Sequence, residues 1–382
     1  MENDRDKAPF MFGKIASGPD FTNREKETTQ LLQNFHVGIN TILISPRRWG
    51  KSSLVKKVTE HPLNKNKNIR YCFIDLFNIR TEQEFYEAYV KELILVTSTK
   101  WEERIGQAKK LFKKIIPQFT FGMNPENEFS VGLDWKEIKK APEEILNLAE
   151  AICKAKKIKL VVCIDEFQNI SFFDDPLAFQ KKLRAHWQHH KLTSYCLYGS
   201  KRHMLMELFS SPSKPFYKFG DVMYLEKIKE QYWVTFIKKR FRETGKNITP
   251  EQAVHIAQAM ENHPYFVQQL SQQTWLLTSK ECTNKIIDRA LQNLLDHSTI
   301  LYQRETDNLS NTQLNLLKAL CENVKQLSSA ETIHNYKLGT SANVIRSKEA
   351  LENKEIIDSI GGIEFIDPLY KTWLKKVYFK IN

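Results

Sequence analysis

The chain has 382 residues, 41% hydrophobic and 27% charged, with 13 Gly and 13 Pro, which excludes collagen-like and wholly disordered classes and supplies two or three cores at roughly 100 to 200 residues each. Lys and Arg number 57 against 45 Asp and Glu, a balance of +12 that suits nucleic acid, anionic lipid or phosphate ligands; residues 301–382 hold 11 basic and 10 acidic side chains, so the excess precedes them. No apolar run approaches the roughly 18 residues of a membrane span, and the charged residues 2–7 do not open a secretory signal, so a cytoplasmic protein with no membrane partner is expected.

In chain order, the β-branched run 41–44 stops at Ser45-Pro46, and 52–58 takes helical spacing through Leu54, Val55 and Val58, which reads as strand, loop, helix. A strand over 70–77 and a helix over 82–97, carrying Phe85, Ala88, Tyr89 and Leu93, continue the alternation. After a basic helix over 102–116, Phe119, Phe121 and Met123 and then Phe129, Val131 and Leu133 recur at period two around Asn124-Pro125-Glu126-Asn127, an inserted hairpin within 118–134 read as a partner or oligomer contact. A helix over 141–156 starts at Pro142 and Glu143, and the apolar run 159–164 predicts a strand in the middle of the sheet. A helix over 179–190 and strands over 194–198 and 222–225 complete a doubly wound parallel α/β domain of residues 1–227.

From Lys229 the pattern is helical, over 229–244, from Thr249-Pro250-Glu251 through Met260, over 264–277 and over 284–295, giving a lid domain of 228–300. Helices over 312–322, 329–335 and 341–353, then strand-like pieces 356–360 and 363–366 split by Gly361-Gly362, predict a winged helix-turn-helix over 301–382. Its recognition helix, 340–353, would present Asn343, Arg346, Ser347 and Lys348 to a DNA or protein partner, and near-neutral charge weighs against DNA. The six cysteines show no C-x-x-C pair and imply neither disulfides nor structural zinc.

The segment Ser45-Pro46-Arg47-Arg48-Trp49-Gly50-Lys51-Ser52 fits the phosphate-loop pattern G-x-x-x-x-G-K-[ST] except that Ser45 replaces its first glycine. Phosphate oxygens need backbone N–H donors at a helix start, a flexible cation and a hydroxyl for Mg²⁺; Gly50, Lys51 and Ser52 supply these in turn. A strand ending in Asp165 and Glu166 supplies the complement, Asp165 toward Mg²⁺ and Glu166 toward the water that attacks the γ-phosphate, a pair that fits hydrolysis better than a small-substrate kinase. Arg47 and Arg48 would steer triphosphate or contact a partner, and with Trp49 they would form a packing platform for adenine or for a neighbouring helix.

On these residues the chain resembles the AAA+-like ATPases of the signal-transduction (STAND) group, those with a helical lid and a C-terminal winged helix. The matching segments are Phe21-Thr22-Asn23-Arg24-Glu25, the loop Pro46–Ser53–Leu54 read residue by residue as P-R-R-W-G-K-S-S-L, Asp165-Glu166-Phe167-Gln168, Tyr198-Gly199-Ser200 and His263-Pro264-Tyr265. The resemblance implies that Arg24 and His263 lie near the base and phosphates, that Pro46 and Ser53 line the loop, and that Ser200 contacts the γ-phosphate or the water. Ser200 read by itself could equally cap the following helix, and Arg24 could be a solvated helix start. Lys218 stands where the family often has a γ-phosphate arginine. The implied function is a nucleotide-driven switch with ATP/ADP and Mg²⁺ as ligands, slow hydrolysis and a homo-oligomer as one expected assembly; a nucleotide-regulated DNA-binding or recruitment protein stays open beside it.

Overall fold

The computed structural model describes residues 8–64, 68–98, 119–123, 129–133, 135–139 and 142–381. They divide into two compact units, one formed by Arg24–Ser45 and Lys51–Leu225, the other by Glu226–Asn382 with the chain up to Asn23 and the short stretch Pro46–Gly50.

The first unit is built on a five-stranded parallel sheet of β1 (Thr41–Ile44), β2 (Ile69–Asp75), β5 (Lys159–Asp165), β6 (Thr193–Gly199) and β7 (Asp221–Tyr224), in the order β2-β5-β6-β1-β7. Five consecutive residues of β5 are buried, as its apolar run requires, but the middle place belongs to β6, whose seven residues are all buried; β5 lies between β6 and the edge strand β2. The register sets Ile44 opposite Gly199 and Ile164 opposite Leu197, so the chain leaves β1, β5 and β6 at one edge of the sheet, where open parallel sheets carry their ligands. The helix Glu82–Thr97 starts in a Thr81–Glu84 capping box and buries Phe85, Tyr89 and Leu93. Trp187, closing the helix Pro176–Trp187, stacks on Tyr195 of β6 with ring centroids 3.9 Å apart.

One helix was not expected, one expected helix is divided, and the inserted hairpin forms as read. A helix Glu25–Val37, closed by Gly38 in the left-handed region, precedes β1 although its apolar residues are sparse. The helix expected over 141–156 forms as Glu143–Leu146 and Leu148–Lys156, parted at Asn147. The inserted hairpin is present as β3 (Phe119–Met123) against β4 (Phe129–Leu133), antiparallel with Phe119 opposite Leu133, while its turn and the basic helix over 102–116 lie outside the described residues.

The second unit is helical: Glu230–Glu243, Pro250–Ala259, Pro264–Leu277 and Asn284–Asp307, then Asn311–Cys321, Ala330–Asn335 and Ser341–Asn353, a hairpin of β8 (Ile357–Asp358) and β9 (Glu364–Phe365), and the helix Pro368–Trp373. One apolar core runs through all of it, from Trp233 and Ile237 through Leu291 and Leu317 to Trp373. The helix expected to end at 295 continues to Asp307 because tertiary contacts hold its second half: Trp373 Nε1 donates to Thr299 Oγ1 at 3.1 Å, the Tyr302 hydroxyl to Asp367, and Thr306 bonds Tyr370 at 2.8 Å. All six cysteines are buried and none is paired. Among the described residues no helix is long and apolar enough to cross a membrane.

Candidate nucleotide site

On the sheet unit, Ser45 follows β1 and Lys51 opens the helix Lys51–Thr59. Ser45 is not among the residues in the left-handed region, so its side chain replaces the pattern's glycine without backbone strain. Lys51 is buried and its Nζ donates to the Ser45 carbonyl at 3.3 Å, so the ammonium is held at the start of its own helix; Ser53, two residues on, is buried as well. Ser52 Oγ donates to Asp165 Oδ2 at 2.8 Å, which brings together a hydroxyl and a carboxylate 113 positions apart. Burial pushes the Asp165 carboxyl up to about 6 against the pull of the Ser52 hydroxyl. A half-buried carboxylate beside a hydroxyl is an all-oxygen donor pair of the kind Mg²⁺ takes while keeping several waters, so these residues fit that ion.

Glu166 stands in the left-handed region (φ 51°) just beyond β5. Its Oε2 accepts from Ser200 Oγ at 3.0 Å, from the Ser200 amide at 3.3 Å and from Gln168 Nε2. The sequence left Ser200 between contacting the γ-phosphate or the water and capping a helix; the helix Arg202–Ser210 has Lys201 at its N-cap and no side-chain cap, so the capping alternative fails, and the hydroxyl bonds Glu166 instead. Arg24 is not a solvated helix start: it is 4% exposed, bonds Glu27 at 2.9 Å and leaves Nη2 without a hydrogen-bond partner. Lys218 is exposed, its ammonium 5.3 Å from the neighbouring Tyr217 ring.

In the helical unit, the stretch Pro46–Gly50 is held by side chains. Pro46 is buried, Trp49 is 9% exposed and meets His263 edge to face at 6.1 Å, and Arg48, itself in the left-handed region, lies 4.5 Å over the Tyr265 ring. The aromatic platform thus packs on the helix Pro264–Leu277, the second of the two uses its composition allowed. Arg47 is half exposed and pairs with Glu355 at 3.0 Å, just past the expected recognition helix. Gly50 has φ +89° with no atom within 4 Å of where a Cβ would stand, so it is required for backbone conformation and not for space. His263 caps its helix by accepting from the Tyr265 amide, and burial, with Arg48 and Lys227 nearby, pushes its imidazole down to about 3.

The recognition helix departs from expectation at one residue. Ser347 is 7% exposed and faces the core, so it cannot be presented; Arg346 is exposed, Asn343 and Lys348 are half-buried, and Ile345 is 55% exposed.

Residues 300–376 match the family model described as a probable winged helix domain. The fold is similar to the Walker-type ATPase PABY2304 of Pyrococcus abyssi, with TM-score 0.63, 18% identity and coverage of 93% of this chain and 96% of that one. It is also similar to the Aeropyrum pernix ORC2 protein in its ADPNP–ADP complexes, with TM-score 0.56, 13% identity and 95% of each chain covered. None of the curated proteins compared with the chain matches it. The chain has the parallel α/β fold of AAA+ P-loop ATPases, completed by a C-terminal winged helix.

Two partners of the predicted residues, one in each unit, were not assigned by sequence reasoning. Gln168 carried no role there, because a Gln two positions after an acid has no spacing signature, and Glu355 lies 308 positions from the arginine it pairs with.

Proposed function

We propose that the protein is a Mg²⁺-dependent ATPase of the AAA+/STAND-like kind, a nucleotide-driven switch whose slow hydrolysis resets it. The observation that carries this reading is the bond between Ser52 and Asp165, which pairs the phosphate-loop hydroxyl with the acid at the end of β5. In this reading the loop amides and Lys51 bind the β- and γ-phosphates, with Pro46, Trp49 and Ser53 shaping the loop, and Ser52 and Asp165 hold the ion. Bound Mg²⁺ neutralises charge on the phosphate oxygens. Glu166 accepts a proton from water as the water oxygen bonds to the γ-phosphorus; the bond from that phosphorus to the bridging oxygen breaks, and ADP leaves with the electron pair. Arg24 and His263 are the candidates for the base side of the nucleotide.

Equilibrium binding of ATP and ADP with Mg²⁺, followed by phosphate release, tests the reading. Wild type should bind and turn over slowly, Lys51→Ala should lose binding, and Glu166→Gln should bind ATP and retain it uncleaved. Normal turnover in Glu166→Gln would remove Glu166 as the base.

A second reading, nucleotide-regulated recruitment through the winged helix, is favoured by the exposed Ile345 beside Arg346 and Glu349, a mixed surface that suits a protein better than a phosphate backbone. Salt-dependent binding of duplex DNA would decide for DNA instead.

A further inference from the structure

Glu166 is fastened on one side only. Its Oε2 takes the Ser200 hydroxyl, the Ser200 amide and the Gln168 amide, whereas Oε1 accepts from none of the described residues. Gln168 is 1% exposed and its Oε1 has no hydrogen-bond partner, so the cost of burying that carbonyl is borne at this site without return. The Gln168 amide is also pressed against Gly199, the last residue of β6: a Cβ built on Gly199 would stand 1.9 Å from Gln168 Oε1 and 3.0 Å from its Cδ. Gly199 has no positive φ, so its need for glycine comes from space: the same Cβ would also stand 3.3 Å from Glu166 Cα. The two ends of the amide are therefore explained together: Nε2 must face the carboxylate, because turning the amide would set two oxygens against each other, and glycine makes the room.

We propose that Gln168 is a positioning residue of the hydrolytic site, holding Glu166 by Oε2 so that Oε1 is presented to the attacking water, and that Gly199 is glycine to admit it. This rests on the ATPase reading above. Ser200 supplies the clamp's other two bonds, from its hydroxyl and its amide, and Gln168 adds a third donor to the same oxygen from the opposite segment of chain. Misplacing a base by about an ångström costs on the order of a hundredfold in rate, so the clamp acts on turnover and not on nucleotide affinity.

The experiment measures steady-state phosphate release and Mg-ATP binding for full-length wild type, Gln168→Met, Gly199→Ala and Glu166→Gln. Methionine keeps the shape of Gln168 and removes its donor. Expected are a kcat roughly tenfold or more below wild type in both single variants with KM and ATP affinity close to unchanged; Gln168→Met is the deciding variant, because a Cβ at position 199 also meets Glu166 Cα at 3.3 Å. Binding with normal affinity certifies a folded site in each variant. Wild-type kcat in Gln168→Met overturns the proposal while leaving the ATPase reading intact if Glu166→Gln is inactive. Full turnover in Glu166→Gln, or none in wild type, overturns both.

Discussion

His263 shows how one buried group makes stability depend on pH. Its ring is 4% exposed, caps the helix Pro264–Leu277 and is held neutral by burial, with a folded value of about 3 against roughly 6.5 in an unfolded chain. Above pH 6.5 both states are neutral and the group contributes no pH dependence. Below it the unfolded chain binds the proton and the folded one does not, so stability falls as pH drops from about 6.5 toward about 3, by about 2 kcal/mol at pH 5. His263→Asn keeps a capping acceptor and removes the titration; urea unfolding at pH 7.5 and pH 5 should show the wild type losing about 2 kcal/mol more than the variant. An equal loss in both would place the pH dependence elsewhere. At this scale the sequence was informative about where Lys51, Ser52, Asp165 and Glu166 stand, a helix start and a strand end joined by the Ser52–Asp165 bond, because a short motif carries its local structure with it. It was silent about what Gln168 and Arg24 touch, since burial and hydrogen bonding are settled by neighbours distant in the chain.

At the scale of elements, alternating apolar strands and amphipathic helices marked the sheet, and the Thr249–Gln252 capping box fixed the start of Pro250–Ala259. Periodicity failed where packing overrides local preference. The helix Asn284–Asp307 passes through polar His297, Ser298 and Thr299, a stretch that reads as a stop until Trp373 and Tyr370 are seen bonded to it. The order of the sheet is likewise set by pairing and not by any one strand, so the long apolar run of β5 did not reveal that β6 is central. The phosphate loop yields a prediction of its own. Because Gly50 has a left-handed backbone and open space around it, Gly50→Ala should cost about 1 to 2 kcal/mol in holding the loop's conformation and should weaken Mg-ATP binding roughly tenfold. Unchanged affinity would show that the loop adapts.

At the scale of the whole molecule, the ion pairs of the helical unit tie its parts together: Arg47 to Glu355, Lys227 to Glu364 at 2.7 Å, and Lys371 to Glu261 at 2.7 Å. The Arg47–Glu355 pair is too exposed to contribute more than about 1 kcal/mol to folding. Its interest lies in which residue it occupies. If phosphate and Glu355 draw on the same guanidinium, nucleotide binding and winged-helix contact are linked, and each weakens the other by an equal factor. Glu355→Ala should then raise ATP affinity several-fold with little change in melting temperature, and the gain should vanish in an Arg47→Ala background. A gain that persists there would deny the link. No sequence pattern announces such a pair, because its two members belong to separate local motifs.

The chain near Asn23 carries a consequence for synthesis. Phe10 lies in the helical core against Phe236 and Phe241, its amide donates to Gln272, and Asp20 pairs with Arg240. A ribosome produces this strap first and its seat more than two hundred residues later. During that interval, on the order of ten seconds or more at 5 to 20 residues per second, the sheet unit can be completed while Phe10 and Met11 remain without their partners. Nascent chains paused between the end of β7 and the helix Pro264–Leu277 should therefore be cleaved by protease ahead of the sheet, and chains paused after that helix should be protected there.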